Sequence, residues 1–440
     1  MRIKRLGSLP AAHALPIAVD FGASGLKVLQ VAGGEPTRLV AASFLPTPDE
    51  FAHDPAARLR FQIERLPKLI RKGGFTTKRA VCLIPASQMF CKHMQLQLSE
   101  GVSIDSLLQA LLPSQVGCDY ESLVCRSVEV PGGGRGGKTE VICMAASRDL
   151  VGRLMQALKS AHLEPVGVHA PFQSVLRSFH SVRRREEDAL SRTLYLDLGY
   201  SSTNVMIAHG QDLVFARTVD LGGQHLDAAI MKQRNITLSE ARKLRKEITV
   251  ERRAVEDDAA HHDAGEEEGT GLALLHAAMA KSVQSASDSA SKPQSAPVVP
   301  ASAEEASAEA STLKDQRVGL PTPGMSPRIE LASGKIVFPR GVNLSEPLEI
   351  LSDEIAMSVR YHKSMFGGAG IDRAVLVGGE AKNAWLCQHL ARALRVPVEV
   401  GDPLALVSRN GSERIKDVDF SKAQPGWAAA LGMALSPTDL

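Results

Sequence analysis

One nine-residue pattern occurs twice in this chain. Asp20-Phe21-Gly22-Ala23-Ser24-Gly25-Leu26-Lys27-Val28 is matched by Asp197-Leu198-Gly199-Tyr200-Ser201-Ser202-Thr203-Asn204-Val205, with Asp, Gly, Ser and Val agreeing at four offsets. Each copy sits between two apolar runs: Ile17 to Phe21 and Leu26 to Val31 for the first, Leu194 to Leu198 and Thr203 to Ala208 for the second. Runs of that length bounded by Gly and Ser predict strands joined by tight turns. A repeated strand-turn-strand unit predicts two similar half-domains facing each other across a cleft.

The residue types at these turns suit phosphate chemistry. Glycine two positions after the aspartate lets backbone N–H groups approach an anion with no Cβ in the way. Ser24, Ser201, Ser202 and Thr203 add hydroxyl donors, and Lys27 a point charge. Asp20 and Asp197 would repel a phosphate directly. They can hold Mg²⁺ through water, since that ion keeps several waters in such sites. Asp-x-Gly is also a common turn sequence because both residues suit turns, so the inference rests on the duplication.

Two further segments point the same way. Gly222-Gly223 follows a third apolar run, Leu213 to Thr218, and opens a helical pattern through Leu226 and Ile230; a helix N-terminus presents free N–H groups and partial positive charge. Ala374 to Val377 is a buried-strand pattern running into Gly378-Gly379-Glu380, where a flat adenine or ribose could lie against backbone. Micromolar nucleotide affinity needs about 8 kcal/mol and one charge-assisted hydrogen bond gives about 1.5–3 kcal/mol, so several such elements must converge. The expected class is α/β, with a helix over Glu346 to Met365 from Leu348, Leu351, Ile355, Val359 and His362.

In order, these motifs resemble the ATP-binding actin/Hsp70/hexokinase superfamily, and within it the sequence is most similar to the PilM family of type IV pilus assembly proteins. The likeness implies an actin-like ATPase fold with two similar halves around a nucleotide cleft and an inserted small subdomain. Residues 1–13 are then a tail, and 14–85 the first half, completed by about 163–190. Residues 86–162 are the inserted subdomain, with Phe90 to Leu98 strand-like and Ser103 to Leu112 helical, and 191–440 are the second half. The resemblance also makes Glu240 and Lys243 candidate ribose or adenine contacts, although Ala241 to Glu247 reads equally as a solvated helix face. ATP and Mg²⁺ are the implied cofactors. The implied partner is a short cytoplasmic segment of an inner-membrane pilus or secretion component. It would dock between the inserted subdomain and the first half, with walls within Ala80 to Leu98 and Met89, Phe90 and Met94 as groove or core residues. Where the family often carries an acid on the segment joining the halves, Val166-Gly167-Val168-His169-Ala170 offers His169, so hydrolysis is expected to be slow or absent.

Composition bounds the rest. Lys and Arg total 51 against 49 Asp and Glu, a net charge of +2, which gives no reason to expect a nucleic-acid partner. Six cysteines without a C-x-x-C pair read as buried thiols of a reducing compartment. Neither a signal peptide nor an apolar run of membrane-spanning length stands out, so a cytoplasmic protein is expected, membrane-associated through its partner. From Ser282 to Thr312, 20 of 31 residues are Ser, Ala or Pro. Such a stretch cannot bury enough apolar surface to order itself, and about 252–328 is expected to be a mostly disordered insertion. Pro131 to Gly137, flanked by strand patterns, reads as a hairpin tip. Two alternatives remain: a sugar or acid kinase of the same fold, which would need a further carboxylate base, and a filament-forming or cell-division actin relative, which would be expected to carry an amphipathic membrane-binding tail.

Overall fold

Ile17–Phe21 (β1) is apolar at four of its five positions and buried on both sides, as a central strand must be. In the computed structural model it pairs with Gly25–Ala32 (β2), which pairs with Arg38–Pro46 (β3), both antiparallel. The structure describes residues 14–99, 101–132, 138–180, 190–251 and 334–436. All of these belong to one compact unit. The expected tail at 1–13, the glycines at 133–137 and the insertion expected at 252–328 lie outside the described residues.

Helix Pro55–Gly73 (α1) begins where Asp54 Oδ1 accepts from the amides of Ala56 and Ala57, at 2.9 and 3.0 Å, with Pro at its first position. It ends at Gly74, whose φ of 75° closes it. Arg79–Leu83 (β4) then returns parallel to β1. Met89–Gln97 (β5), Ile104–Val116 (α2), Leu123–Glu129 (β6) and Lys138–Ser147 (β7) make a separate three-stranded sheet, ordered β5-β7-β6, with Leu108 and Leu112 of α2 buried against Leu96, Val141 and Cys143. These elements fall where the inserted subdomain was expected, at 86–162, and β6 and β7 form an antiparallel pair on either side of the glycine run. Arg148–Ser160 (α3), Glu164–His169 (β8) and Pro171–Arg177 (α4) follow, and β8 becomes the edge of the first sheet, parallel to β4.

The second sheet repeats the first. Arg192–Leu198 (β9), Thr203–His209 (β10) and Asp212–Val219 (β11) form an antiparallel meander. Gly223–Arg234 (α5), Leu238–Lys246 (α6) and the short pair Thr249–Glu251 (β12) and Lys335–Val337 (β13) intervene, on either side of the undescribed segment. After helix Ser345–Met365 (α7), strand Arg373–Val377 (β14) runs parallel to β9. Helix Ala384–Leu394 (α8) leads to Val398–Val400 (β15), parallel to β14. The orders β3-β2-β1-β4-β8 and β11-β10-β9-β14-β15 have the same sense of pairing throughout.

One boundary differs from expectation. Arg414–Lys416 (β16) adds to the first sheet beside β3, and Ala428–Ala434 (α9) packs on β1, β2 and β4. The chain's end therefore completes the first half, although 191–440 was expected to be the second. The apolar alternation of β1 shows why: Val19 and Phe21 face Leu66 of α1 and Leu154 of α3, which leaves Ala18 needing a cover that Trp427, Ala430 and Leu431 provide. α9 also meets α4 at backbone distance, since a Cβ on Gly432 would lie 1.6 Å from Ser174 O.

Candidate functional site

The two turns are superimposable in register. Asp20 stands opposite Lys27 across β1 and β2, and Asp197 opposite Asn204 across β9 and β10. In the first, Lys27 Nζ donates to Asp20 Oδ2 at 3.0 Å, with the two side chains 12% and 13% exposed. In the second, Asn204 Nδ2 donates to Asp197 Oδ2 at 3.0 Å while Asn204 Oδ1 accepts from Thr218 Oγ1 at 3.0 Å. Burial pushes the Asp197 carboxyl above the usual carboxylate range. Asn204 and Lys27 pull it back, and Asp20 pushes it further up, so the two aspartates feel each other across the gap. Neither Oδ1 accepts a hydrogen bond from a described residue.

Both turns open into one cleft of about 770 Å³. It is lined by ten residues the sequence pointed to: Asp20, Gly22, Ser24, Lys27, Asp197, Gly199, Ser201, Ser202, Gly378 and Gly379. Pro171 and Ala428, at the starts of α4 and α9, also line it. Gly378 adopts φ 91°, and a Cβ there would stand 2.6 Å from Asp197 Oδ1, so glycine lets β14 end against the second turn.

Six candidates lie elsewhere. Thr203 is buried and its Oγ1 donates to Leu221 O at 2.7 Å. The amides at the start of α5 are already engaged: Gly222 N donates to His225 Nδ1, Gly223 N to Gly199 O and Gln224 N to Tyr200 O. Gly222 and Gly223 thus brace the second turn from behind. Glu240 is turned back on its own helix start, where Oε2 accepts from Thr237 N at 2.9 Å and Thr237 Oγ1 at 2.8 Å; these bonds hold its carboxyl below the usual range. Lys243 is exposed on the same helix, outside the cleft wall. Glu380 is buried and pairs with Arg245, which also binds Asp227 Oδ1 at 2.6 Å; these carboxylates hold the Arg245 pKa up. His169 does not line the cleft either, and its ring folds over Gly167, where a Cβ would stand 2.9 Å from Nε2.

Among the lining residues that the sequence reading did not single out, Tyr200 and Arg58 stand out. Tyr200 projects from the second turn into a small apolar contact with Ala52 and Leu238, and the guanidinium of Arg242 lies 4.7 Å over its ring. Arg242 also pairs with Asp49, tying the second half to the first across the cleft. Arg58 reaches the cleft from the first turn of α1. Its placement is readable in retrospect, because it shares a helical face with Leu59, Gln62, Leu66 and Leu69, all buried.

A family model described as type IV pilus assembly protein PilM matches residues 18–254, which run from the first turn through the three-stranded sheet to the second turn and α6. The chain belongs to the PilM family. It is therefore a type IV pilus assembly protein with an actin-like ATPase fold. A solved PilM–PilN type IV pilus biogenesis complex contains a similar chain, with 17% identity, a TM-score of 0.61 and coverage of 96% of this chain and 97% of that one. Ethanolamine utilization protein EutJ from Carboxydothermus hydrogenoformans is 12% identical with a TM-score of 0.43, covering 98% and 91% of the two chains. MreB5 of Spiroplasma citri bound to ADP is 11% identical with a TM-score of 0.42, covering 97% and 96%. No curated protein matches the sequence. Among the described residues of this PilM-family chain, no helix is long and apolar enough to cross a membrane.

Proposed function

We propose that this protein is a cytoplasmic nucleotide-binding scaffold that docks a short segment of an inner-membrane pilus component. Nucleotide binding is supported by the paired turns lining one cleft. The backbone and hydroxyl groups of Gly22 to Ser24 and Gly199 to Ser202 would cradle the phosphates of ATP. Among the described residues, Asp20 and Asp197 each keep one oxygen free of protein donors and suit a hydrated Mg²⁺, which would offset phosphate charge. They are the only carboxylates lining the cleft among the described residues. Neither is spare to activate water, so turnover is expected to be slow, and a kinase reading lacks its base.

The observation that carries the docking half is a second hollow. A groove of about 780 Å³ runs between the inserted subdomain and the first half, walled by Ile84, Met89, Val124, Met144, Val151 and Met155. Of the residues expected there, Met89 lines it, while Phe90 and Met94 pack into the subdomain core. The groove lies between two edge strands, β6 and β8, whose outer backbone groups can pair with an extended peptide while alternate side chains fill apolar sites. The PilM–PilN complex, a chain of the same fold with a pilus partner, favours this use. A fluorescent peptide carrying the cytoplasmic segment of the partner should bind the wild type and lose at least tenfold in affinity to Met155→Glu, read by anisotropy. Equal binding by both proteins would reject the groove.

A further inference from the structure

Arg58 is 5% exposed and lines the nucleotide cleft. Its Nη1 donates to Ala52 O at 2.8 Å, and no carboxylate among the described residues pairs with the guanidinium. The other cleft cation, Lys27, has Asp20. Arg245, comparably buried, has Asp227 and Glu380. Burial accordingly pulls the Arg58 pKa down, whereas the partners of Arg245 push its pKa up. Tyr200 and Asp54 offset part of that effect on Arg58 at longer range, but no carboxylate among the described residues lies within ion-pair distance. A buried charge so weakly compensated is costly, and a guanidinium has further N–H donors to offer an oxyanion bidentately. An anion would complete its coordination.

The surroundings say which one. Gln62, one turn further along α1, donates from Nε2 to Gly22 O at 2.8 Å, so this face of the helix is locked to the first turn. Ala52, which accepts from Arg58, packs against Tyr200 of the second turn. Arg58 thus stands between the two turns, at the wall of the cleft that both of them line. The end of a polyphosphate carries the densest charge and has the greatest need of a cation.

We propose that Arg58 binds the terminal phosphate of a nucleoside triphosphate and so makes the cleft prefer triphosphate over diphosphate. The proposal rests on the nucleotide reading above. Calorimetry on the full chain would compare ATP·Mg²⁺ and ADP·Mg²⁺ binding to wild type, Arg58→Gln and Arg58→Met, with the melting temperature of each nucleotide-free protein recorded alongside. Arg58→Gln should lose about ten- to a hundredfold in ATP affinity, a charge-assisted contact's worth, and less than about threefold for ADP. The nucleotide-free variants should melt at or above the wild-type temperature, because a buried unpaired charge has been removed. Wild-type affinity for ATP in both variants, or equal losses for ATP and ADP, would overturn the assignment while leaving nucleotide binding intact. A wild type that takes up neither nucleotide would remove the nucleotide reading and this proposal together.

Discussion

The first and second turns share a backbone and differ in how each treats its aspartate. Asp20 is matched directly by the full positive charge of Lys27, whereas Asp197 accepts from the neutral amide of Asn204, itself steadied by Thr218, and feels Lys27 only at longer range. The register is the same, so the duplication preserves geometry and lets electrostatics diverge. Burial draws the Asp197 carboxyl toward its protonated form, against the pull of Asn204 and of the more distant Lys27. On the proposed reading, the two halves of the cleft would have unequal appetites for a cation, and Asp197 would gain more than Asp20 from an arriving Mg²⁺.

Four substitutions, in two pairs, test how far the likeness extends. The largest effect is expected at glycine. A Cβ on Gly199 would stand 2.6 Å from Ser202 O, against 3.0 Å between Gly22 and Gly25 O. Gly199→Ala should cost about 2 kcal/mol and Gly22→Ala about 1 kcal/mol or less, read from urea midpoints at constant slope; equal costs would break the distinction. Next, Asp197→Asn should stabilise the nucleotide-free protein near neutral pH by about 1 kcal/mol, since it removes a poorly compensated charge. The sign follows from linkage: with its folded pKa raised, Asp197 keeps its proton while the unfolded chain has already lost it. Its penalty is thus absent below about pH 3.9, grows as pH rises from there toward the raised folded pKa, and is fully present above it. The advantage of the variant should vanish in acid. Asp20→Asn, the smallest effect, should instead destabilise by about 0.5 kcal/mol by stranding Lys27. The same sign for both aspartates would show that the turns are electrostatically alike.

Much of this arrangement was legible in the sequence, and the misses have physical causes. The strand-turn-strand repeat is visible because the turn demands Asp and Gly at fixed spacing and the flanks demand buried strands. Gly222-Gly223 misleads, since a helix start looks like a set of free donors until tertiary structure supplies the carbonyls of Gly199 and Tyr200 that consume them. Glu240 fits a capping box as well as a ribose contact, and local hydrogen bonding wins. Arg58 hides because a charged residue on a helix ordinarily faces water. The return of the chain to the first sheet is invisible because β16 is three exposed residues, Arg414 to Lys416, with no apolar pattern to betray it.

The central claim is that both turns serve one nucleotide. Titrating ATP·Mg²⁺ into wild type, Asp20→Ala and Asp197→Ala by calorimetry tests it directly. The account predicts micromolar binding by the wild type and at least a tenfold loss in each variant. Full affinity in either variant, or no heat from the wild type, would contradict it.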